Sequence, residues 1–218
     1  MRIILIAVTI LTCSGISPAL AQQTQSYPKL DINGGGGPGF NQSRTSDFAN
    51  TSFQFTGGAG YNFRQSIGAS IEYMYYNLSV KDSVAQQASL ADPSGHLGSL
   101  TLNGILRVPN YLGFYAIGGI GLYRRSVHSG KATAIPAGTS CQSVWAWWDV
   151  PCSNGVTQTP AVLGDSTDDA WGVNIGAGVN FRIRGNLKGY SELRYHHAYT
   201  SQVSTQVTPW TFGIRWYK

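Results

Sequence analysis

The sequence has little charge and, beyond its N-terminus, no long apolar run. Asp, Glu, Lys and Arg make up 11% of the 218 residues, whereas an average soluble domain has roughly 25%. After residue 21 no stretch approaches the ~18 consecutive apolar residues of a membrane-spanning helix. The aromatic content of 12% is high for a disordered chain. This composition excludes a helical membrane protein and a disordered protein, and it is unusual for a cytosolic enzyme.

Basic residues are scattered, and cysteines are few. The formal net charge is +5, but no basic cluster is larger than Arg124-Arg125, so no nucleic-acid partner is predicted. Cys13 lies in the N-terminal apolar segment, while Cys141 and Cys152 share a tryptophan-rich stretch. In an oxidising compartment this spacing favours a local disulfide, with two free thiols as the alternative.

The N-terminus has the form of a secretory signal peptide. Met1-Arg2 precedes an apolar run at residues 3–8, and Ala19-Leu20-Ala21 supplies a small-x-small cleavage site. This combination is typical of export and not of a membrane anchor. We therefore expect residues 1–21 to be removed and residues 22–218 to form a single exported domain.

Apolar side chains then alternate with small or polar ones along much of the chain. The alternation is strict at residues 52–63, 170–183 and 210–217, and weaker at 30–40, 67–78, 96–108 and 187–199. Segment 111–125 is rich in glycine, so the pattern does not decide which of its side chains face outward. Period-two alternation predicts strands with one apolar face. Eight strands are therefore expected.

The connections between these segments alternate in length. Long ones (41–51, 77–95, 126–169 and 200–205) follow the odd-numbered segments, and short ones (64–65, 109–110 and 184–186) follow the even-numbered segments. This pattern predicts an all-β, eight-stranded antiparallel transmembrane β-barrel with short periplasmic turns and long extracellular loops. The alternative is a soluble lipocalin-like barrel with its apolar face inward. Because the polar face carries Gly, Asn, Thr and Ser but little charge, the membrane barrel is favoured.

The last two segments resemble a known family. Arg194-Tyr195-His196-His197 and residues 209–216 look like the final strands of small bacterial outer-membrane barrels of the OmpA-transmembrane-domain and OmpX class. The resemblance implies an outer-membrane location, contact with outer-membrane lipid and lipopolysaccharide, and recognition of the last strand by the barrel-assembly machinery. The residues that would carry this signal are Trp210, Phe212, Ile214 and Trp216. The chain departs from the family in that Tyr217 and Lys218 follow Trp216, so its terminal residue is not an aromatic one.

Six charged residues fall on the polar parity of the strands and are predicted to face the barrel interior. They are Glu72, Arg107, Lys188, Glu192, Arg194 and Arg215. Charges inside a narrow barrel have to pair, because an unpaired buried charge costs several kcal/mol. A salt-bridged plug is therefore favoured over a gated ion or proton path.

An enzyme that modifies lipid A has to be weighed, because some small outer-membrane barrels do so. The deacylases of that group have a His-x-Ser arrangement late in the barrel. Here Tyr199 stands where the serine belongs after His197, and Ala198 stands there after His196. Glu192, His196 and Ser201 are the remaining candidates, and without a placed nucleophile no catalytic residue is predicted.

No metal or cofactor site is predicted either. His128, Asp165, Asp168 and Asp169 fall near one long connection, but without recognisable ligand spacing.

The longest connection contains the most informative segment. Between Cys141 and Cys152 stand Trp145, Trp147 and Trp148, in a connection longer than most loops without a function. Three tryptophans on a disulfide-closed hairpin fit an extracellular contact surface for sugar, lipopolysaccharide or protein. They fit equally well a lid in which the rings pack on each other and on the barrel rim.

The expected function is non-enzymatic: a monomeric barrel acting in envelope integrity or surface contact through its extracellular loops, with an unidentified surface ligand. The first alternative is a narrow pore for ions or small solutes. A weaker one is lipid A modification using His197 and Glu192.

Overall fold

The structure, a computed structural model, describes residues 27–87, 90, 92–108, 113–131 and 133–218. The predicted signal peptide (1–21), Cys13 and the turn at 109–110 lie outside these residues. No helix in the described part is long and apolar enough to cross a membrane.

Eight antiparallel strands close into a single barrel, as predicted. Each strand pairs with its neighbours in sequence, and the first pairs with the last. The strands are β1 (Leu30–Asn41), β2 (Ser52–Asn62), β3 (Ile67–Leu78), β4 (Ser94–Arg107), β5 (Phe114–His128), β6 (Ser166–Arg184), β7 (Leu187–Ala198) and β8 (Thr205–Tyr217).

Long loops stand at one end of the barrel, the extracellular end, and short turns at the periplasmic end. We name the loops L1 (42–51), L2 (79–93), L3 (129–165) and L4 (199–204). L1 contains helix α1 (Ser43–Phe48) and L2 contains helix α2 (Asp82–Gln87). L3 contains a 3₁₀ helix at Ser143–Trp148 and two short ribbons, Thr133–Ile135 with Ala161–Leu163 and Cys152–Ser153 with Val156–Thr157.

Strands β5 and β6 extend further at their extracellular ends than predicted, to His128 and from Ser166. They have 15 and 19 residues, whereas about 9–11 residues span a bilayer. Their extracellular ends stay paired through Ser166 and Val127, so the predicted loop 126–169 is shorter at both ends. Arg124 Nε donates to Asp169 Oδ1 at 2.6 Å on the outside of this extension. The two strands therefore form a wall that rises above the membrane and supports L3.

The outward face of the barrel is a continuous apolar band. Leu102 on β4 and Ile120 on β5 lie opposite each other and are 61% and 62% exposed. The predicted signal residues of β8, Trp210, Phe212, Ile214 and Trp216, also point outward and are about half exposed. The inward face is polar and tightly filled. A side chain on Gly39, for example, would place its Cβ 2.1 Å from the ring of Tyr76, so glycine is required there.

We predict that Leu102→Arg lowers the free energy of unfolding by about 2–4 kcal/mol, because the guanidinium would enter hydrocarbon near the bilayer midplane. The measurement is urea unfolding in lipid vesicles. Gln65→Arg, at an exposed periplasmic turn, is the matched control and should change stability little. Equal losses in the two variants would contradict the assigned facing.

Candidate functional site

A charged cluster fills the middle of the lumen. Arg194 of β7 donates through Nη1 to Glu72 Oε2 at 2.6 Å, across the barrel, and through Nη2 to Glu192 Oε1 at 2.5 Å. All three side chains are at least nine-tenths buried. One guanidinium therefore bridges two carboxylates that would otherwise repel each other in a low-dielectric space.

Neutral groups complete this cluster. Asn33 and Asn103 donate to the two oxygens of Glu72 at 3.2 and 3.0 Å. The Tyr115 hydroxyl donates to Glu192 Oε2 at 2.8 Å. Because a buried carboxylate is tolerated only when its oxygens are paired, these donors stabilise the charge that Arg194 leaves uncompensated.

A second charged group lies closer to the periplasm. Arg215 is fully buried between the rings of Tyr115 and Tyr190, at 5.1 and 5.0 Å, and its Nε is 3.6 Å from Asp31 Oδ1. Arg107 Nη2 is 3.6 Å from the other Asp31 oxygen. Asp31 was not among the predicted interior charges, although Leu30 and Ile32 on either side of it face outward and its position between them indicates the interior.

The six predicted interior charges therefore fall in three places. Glu72, Glu192 and Arg194 form the central cluster, and Arg107 and Arg215 share Asp31. Lys188 stands at the periplasmic mouth, where its Nζ lies 4.7 Å above the ring of Tyr217. Beside Thr211 and Glu192 the lumen has a cavity of about 10 Å³, which is room for at most one water.

Above the lumen, a buried arginine joins the loops. Arg125 Nη1 donates to the carbonyl of Val203 in L4 at 2.8 Å, and Nη2 is 3.3 Å from Asp168 Oδ2. The guanidinium also lies 4.9 Å from the ring centroid of Trp147. Arg125 was not predicted to face inward, because the glycines of β5 obscure which face each of its residues occupies.

The three tryptophans of L3 form a lid. Trp145, Trp147 and Trp148 are all at least 94% buried, and Trp147 stacks on Phe48 of L1 with ring centroids 4.1 Å apart. They belong to an apolar cluster that includes Val84 of L2 and Val203 of L4. Of the two alternatives for these tryptophans, the structure has the lid and not the exposed contact surface, because large aromatic rings are more stable packed against one another than exposed to water. We call this cluster and its four loops the cap.

The cap is closed covalently. The predicted disulfide between Cys141 and Cys152 is present and spans 11 positions. The segment that it encloses is the 3₁₀ helix Ser143–Trp148, not the hairpin that was expected. All three indoles of this short helix are buried, so the segment contributes three rings to one core.

A hollow opens above the cap. It has a volume of about 530 Å³. Its floor is Phe48, Val144 and Trp147, and the four loops supply a polar rim, in which the main side chains are Arg44, Asp47, Gln87 and Gln202. An apolar floor with a polar rim is the usual form of a ligand-binding surface.

The residues considered for catalysis and for metal binding do not assemble. Glu192 faces the lumen, whereas His197 stands on the outer face beside Tyr195 and Tyr199. The Ser201 hydroxyl donates to Asp168 at 2.7 Å. His128 lies 3.3 Å from Asp165, and in the described residues no group of three or more potential metal ligands occurs.

We predict that Arg194→Met destabilises the barrel by about 3–5 kcal/mol, because it leaves two carboxylates buried without a cation. Adding Glu72→Gln and Glu192→Gln should restore most of this loss. Lys188→Met, at the half-exposed mouth, is the matched control, with an expected change below about 1 kcal/mol. Urea unfolding measures all of these, and a mild Arg194→Met phenotype would contradict the central role of this cluster.

We also predict that Cys141→Ser/Cys152→Ser loosens the cap and spares the barrel. A disulfide closing so short a loop contributes about 3 kcal/mol. The amide of Trp145, which donates to the Gln142 carbonyl, should then exchange its hydrogen on the order of a hundredfold faster. Amides of β4 are the internal control, and equal acceleration there would show that the bridge supports the whole barrel instead.

Comparisons with known proteins agree with this architecture. A family described as outer membrane protein beta-barrel domain matches residues 5–216. Neisserial surface protein A is similar in structure, with a TM-score of 0.55 at 13% identity, covering 87% of this chain and 96% of that one. A major outer membrane protein of Thermus thermophilus has a TM-score of 0.52 at 10% identity, covering 88% and 99%.

The attachment invasion locus protein Ail of Yersinia pestis has a TM-score of 0.50 at 15% identity, covering 88% and 99%. No curated protein matches the sequence. At such low identity the structural likeness shows the fold, while the match over nearly the whole sequence shows the family. The chain belongs to the outer membrane protein β-barrel domain family and resides in the outer membrane.

Proposed function

We propose that the protein is a non-enzymatic surface-contact protein whose binding element is the hollow above the cap. The observation that carries this proposal is that all four extracellular loops meet over a filled lumen and jointly line one concave surface. Loops that serve only as connections have no reason to share a core. The loops of this cap do share an apolar core, and that core holds the rim side chains in fixed positions.

The chemistry of the hollow suits a ligand with an apolar group and hydrogen-bonding edges. Arg44 and Asp47 are exposed on the rim, and in the described part of the chain neither forms an ion pair. A free cation and a free carboxylate one helical turn apart can orient a polar ligand. Oligosaccharides and protein loops both offer this combination.

The barrel itself supports a role in envelope integrity. Its outward apolar band contacts membrane lipid, and the lipopolysaccharide of the outer leaflet would surround its extracellular half. The outward residues of β8 would be read by the barrel-assembly machinery during insertion. Because ring closure leaves no strand edge free for pairing, we propose that the protein is a monomer.

A narrow pore is the second candidate, because the lumen is lined by charged and polar groups. Against it stand the ion-paired cluster across the lumen, the small cavity beside it and the apolar cap above. Lipid A modification has less support, since His197 and Glu192 face opposite sides of the barrel wall.

We expect purified, refolded protein to insert into planar bilayers without discrete channel openings, with or without reductant. The reason is that the central cluster persists even when the cap is loosened. Single-channel recording checks this. Reproducible openings of the oxidised protein would overturn the plugged lumen and favour the pore.

Binding is tested on whole cells that display the protein. Cells carrying the wild type should be retained on arrays of oligosaccharides and purified surface proteins, and Arg44→Ala/Gln87→Ala/Gln202→Ala should reduce retention at least about tenfold, as expected for loss of central contacts. The matched control, Lys131→Ala/Ser153→Ala/Gln158→Ala, changes exposed L3 residues outside the hollow. Retention equal to that of cells without the protein, or equal loss in both variants, would contradict the proposal.

A further inference from the structure

The charges of the barrel divide unequally between its two ends. At the periplasmic end, five exposed basic residues form a ring that we call the basic collar: Lys29, Arg64, Arg182, Arg184 and Lys218. Two further basic residues, Arg107 and Lys188, stand just inside the mouth. The acidic side chain at this end is Asp31, which is buried against Arg107 and Arg215.

The extracellular end has the opposite balance. It carries seven aspartates (Asp47, Asp82, Asp92, Asp149, Asp165, Asp168, Asp169) against five basic residues (Arg44, Lys81, Arg124, Arg125, Lys131). The net positive charge of the protein therefore resides at the periplasmic end. Such a separation of charge attracts anions to one face of the membrane.

Within the described part of the chain, no acidic side chain pairs with the collar. Its five side chains form no ion pair with any carboxylate in the described part of the chain. The remaining residues of the sequence contain no Asp or Glu. Like charges gathered at one rim repel one another unless an external anion compensates them.

A hollow of about 290 Å³ continues the collar into the mouth, where Arg64, Arg107 and Lys188 line it. Among the described residues, the three buried guanidinium nitrogens of Arg107 have no hydrogen-bond partner. The Asp31 contact, at 3.6 Å, is too long for a hydrogen bond. Buried donors without acceptors are costly, and an entering anionic oxygen would satisfy them.

The depth of the collar indicates which anion it meets. Arg64 directly follows the outward Phe63, and Arg182 and Arg184 flank the outward Ile183, each of these apolar side chains being more than half exposed. The cations therefore lie where hydrocarbon gives way to headgroups, the level at which Lys and Arg reach lipid phosphates.

We propose that the basic collar and its hollow bind the phosphate groups of anionic glycerophospholipids in the inner leaflet of the outer membrane. Phosphate accepts hydrogen bonds from guanidinium groups with good geometry, and its position in the leaflet matches that of the collar. This binding site is at the opposite end of the barrel from the hollow above the cap and is independent of it.

Fluorescence quenching of Trp216 tests the proposal. Trp216 is outward-facing at the periplasmic end of β8, and Trp171→Phe/Trp210→Phe leaves it as the lipid-exposed reporter, because the cap indoles are buried. The protein is refolded into equimolar phosphatidylcholine–phosphatidylglycerol vesicles in which one or the other lipid is brominated. The anionic lipid should show a relative association constant at least about fivefold higher, as expected for a few exposed cations, and added salt should reduce it.

Two triple variants localise the effect. Arg64→Gln/Arg182→Gln/Arg184→Gln should abolish the preference for the anionic lipid. Arg44→Gln/Lys81→Gln/Lys131→Gln, which removes the same charge from the extracellular end, should retain it. If the collar triple does not fold, as judged by heat-dependent gel mobility, Arg184→Gln against Arg44→Gln gives the same comparison at smaller amplitude.

Three results would overturn the proposal. One is equal quenching by the two lipids in the wild type, and another is an unchanged preference in the collar variant. The third is collar-dependent binding of soluble glycerol phosphate that the anionic lipid does not reduce, which would assign the hollow to a free phosphate. Sedimentation with purified peptidoglycan that depends on the collar, together with equal quenching, would assign the collar to the periplasmic polymer instead.

Discussion

Pairing of β1 with β8 is the constraint on which the rest of this structure depends. The two strands pair from Asp31 opposite Tyr217 to Asn41 opposite Val207, so the sheet has no free edge. Inside hydrocarbon an unpaired backbone group costs several kcal/mol, and only closure avoids that cost for strands. Closure with eight strands then leaves an interior just wide enough for side chains.

Because the interior is so narrow, only the two ends of the barrel are available for recognition. Because charged groups in the lumen have no room for water, they pair with one another: Arg194 binds Glu192 on its own strand and Glu72 across the lumen. The lumen is thereby occupied by its own polar groups. Recognition is left to the ends, where an apolar core organises the extracellular loops and unbalanced positive charge marks the periplasmic rim.

Much of the fold follows from alternation in the sequence, because each face of a membrane strand meets a uniform environment. Outward residues such as Leu102 and Ile175 and inward ones such as Glu72 and Arg194 were readable from parity alone. The same logic failed on β5, where glycines on both faces hide the parity and with it the inward position of Arg125. Parity also carries no information about loops. The burial of Trp147 depends on Phe48, nearly a hundred residues earlier in the chain, and no local pattern predicts such a contact.

The disulfide in L3 has a consequence for the order in which the molecule matures. Its two cysteines are only 11 positions apart, so the bond can form in an otherwise unfolded chain once that chain meets an oxidising compartment. The indoles that it encloses need partners from L1, L2 and L4, which the ring of strands brings together only when it is complete. Covalent closure of the segment can thus precede its packing, and a packed cap is evidence that insertion has finished.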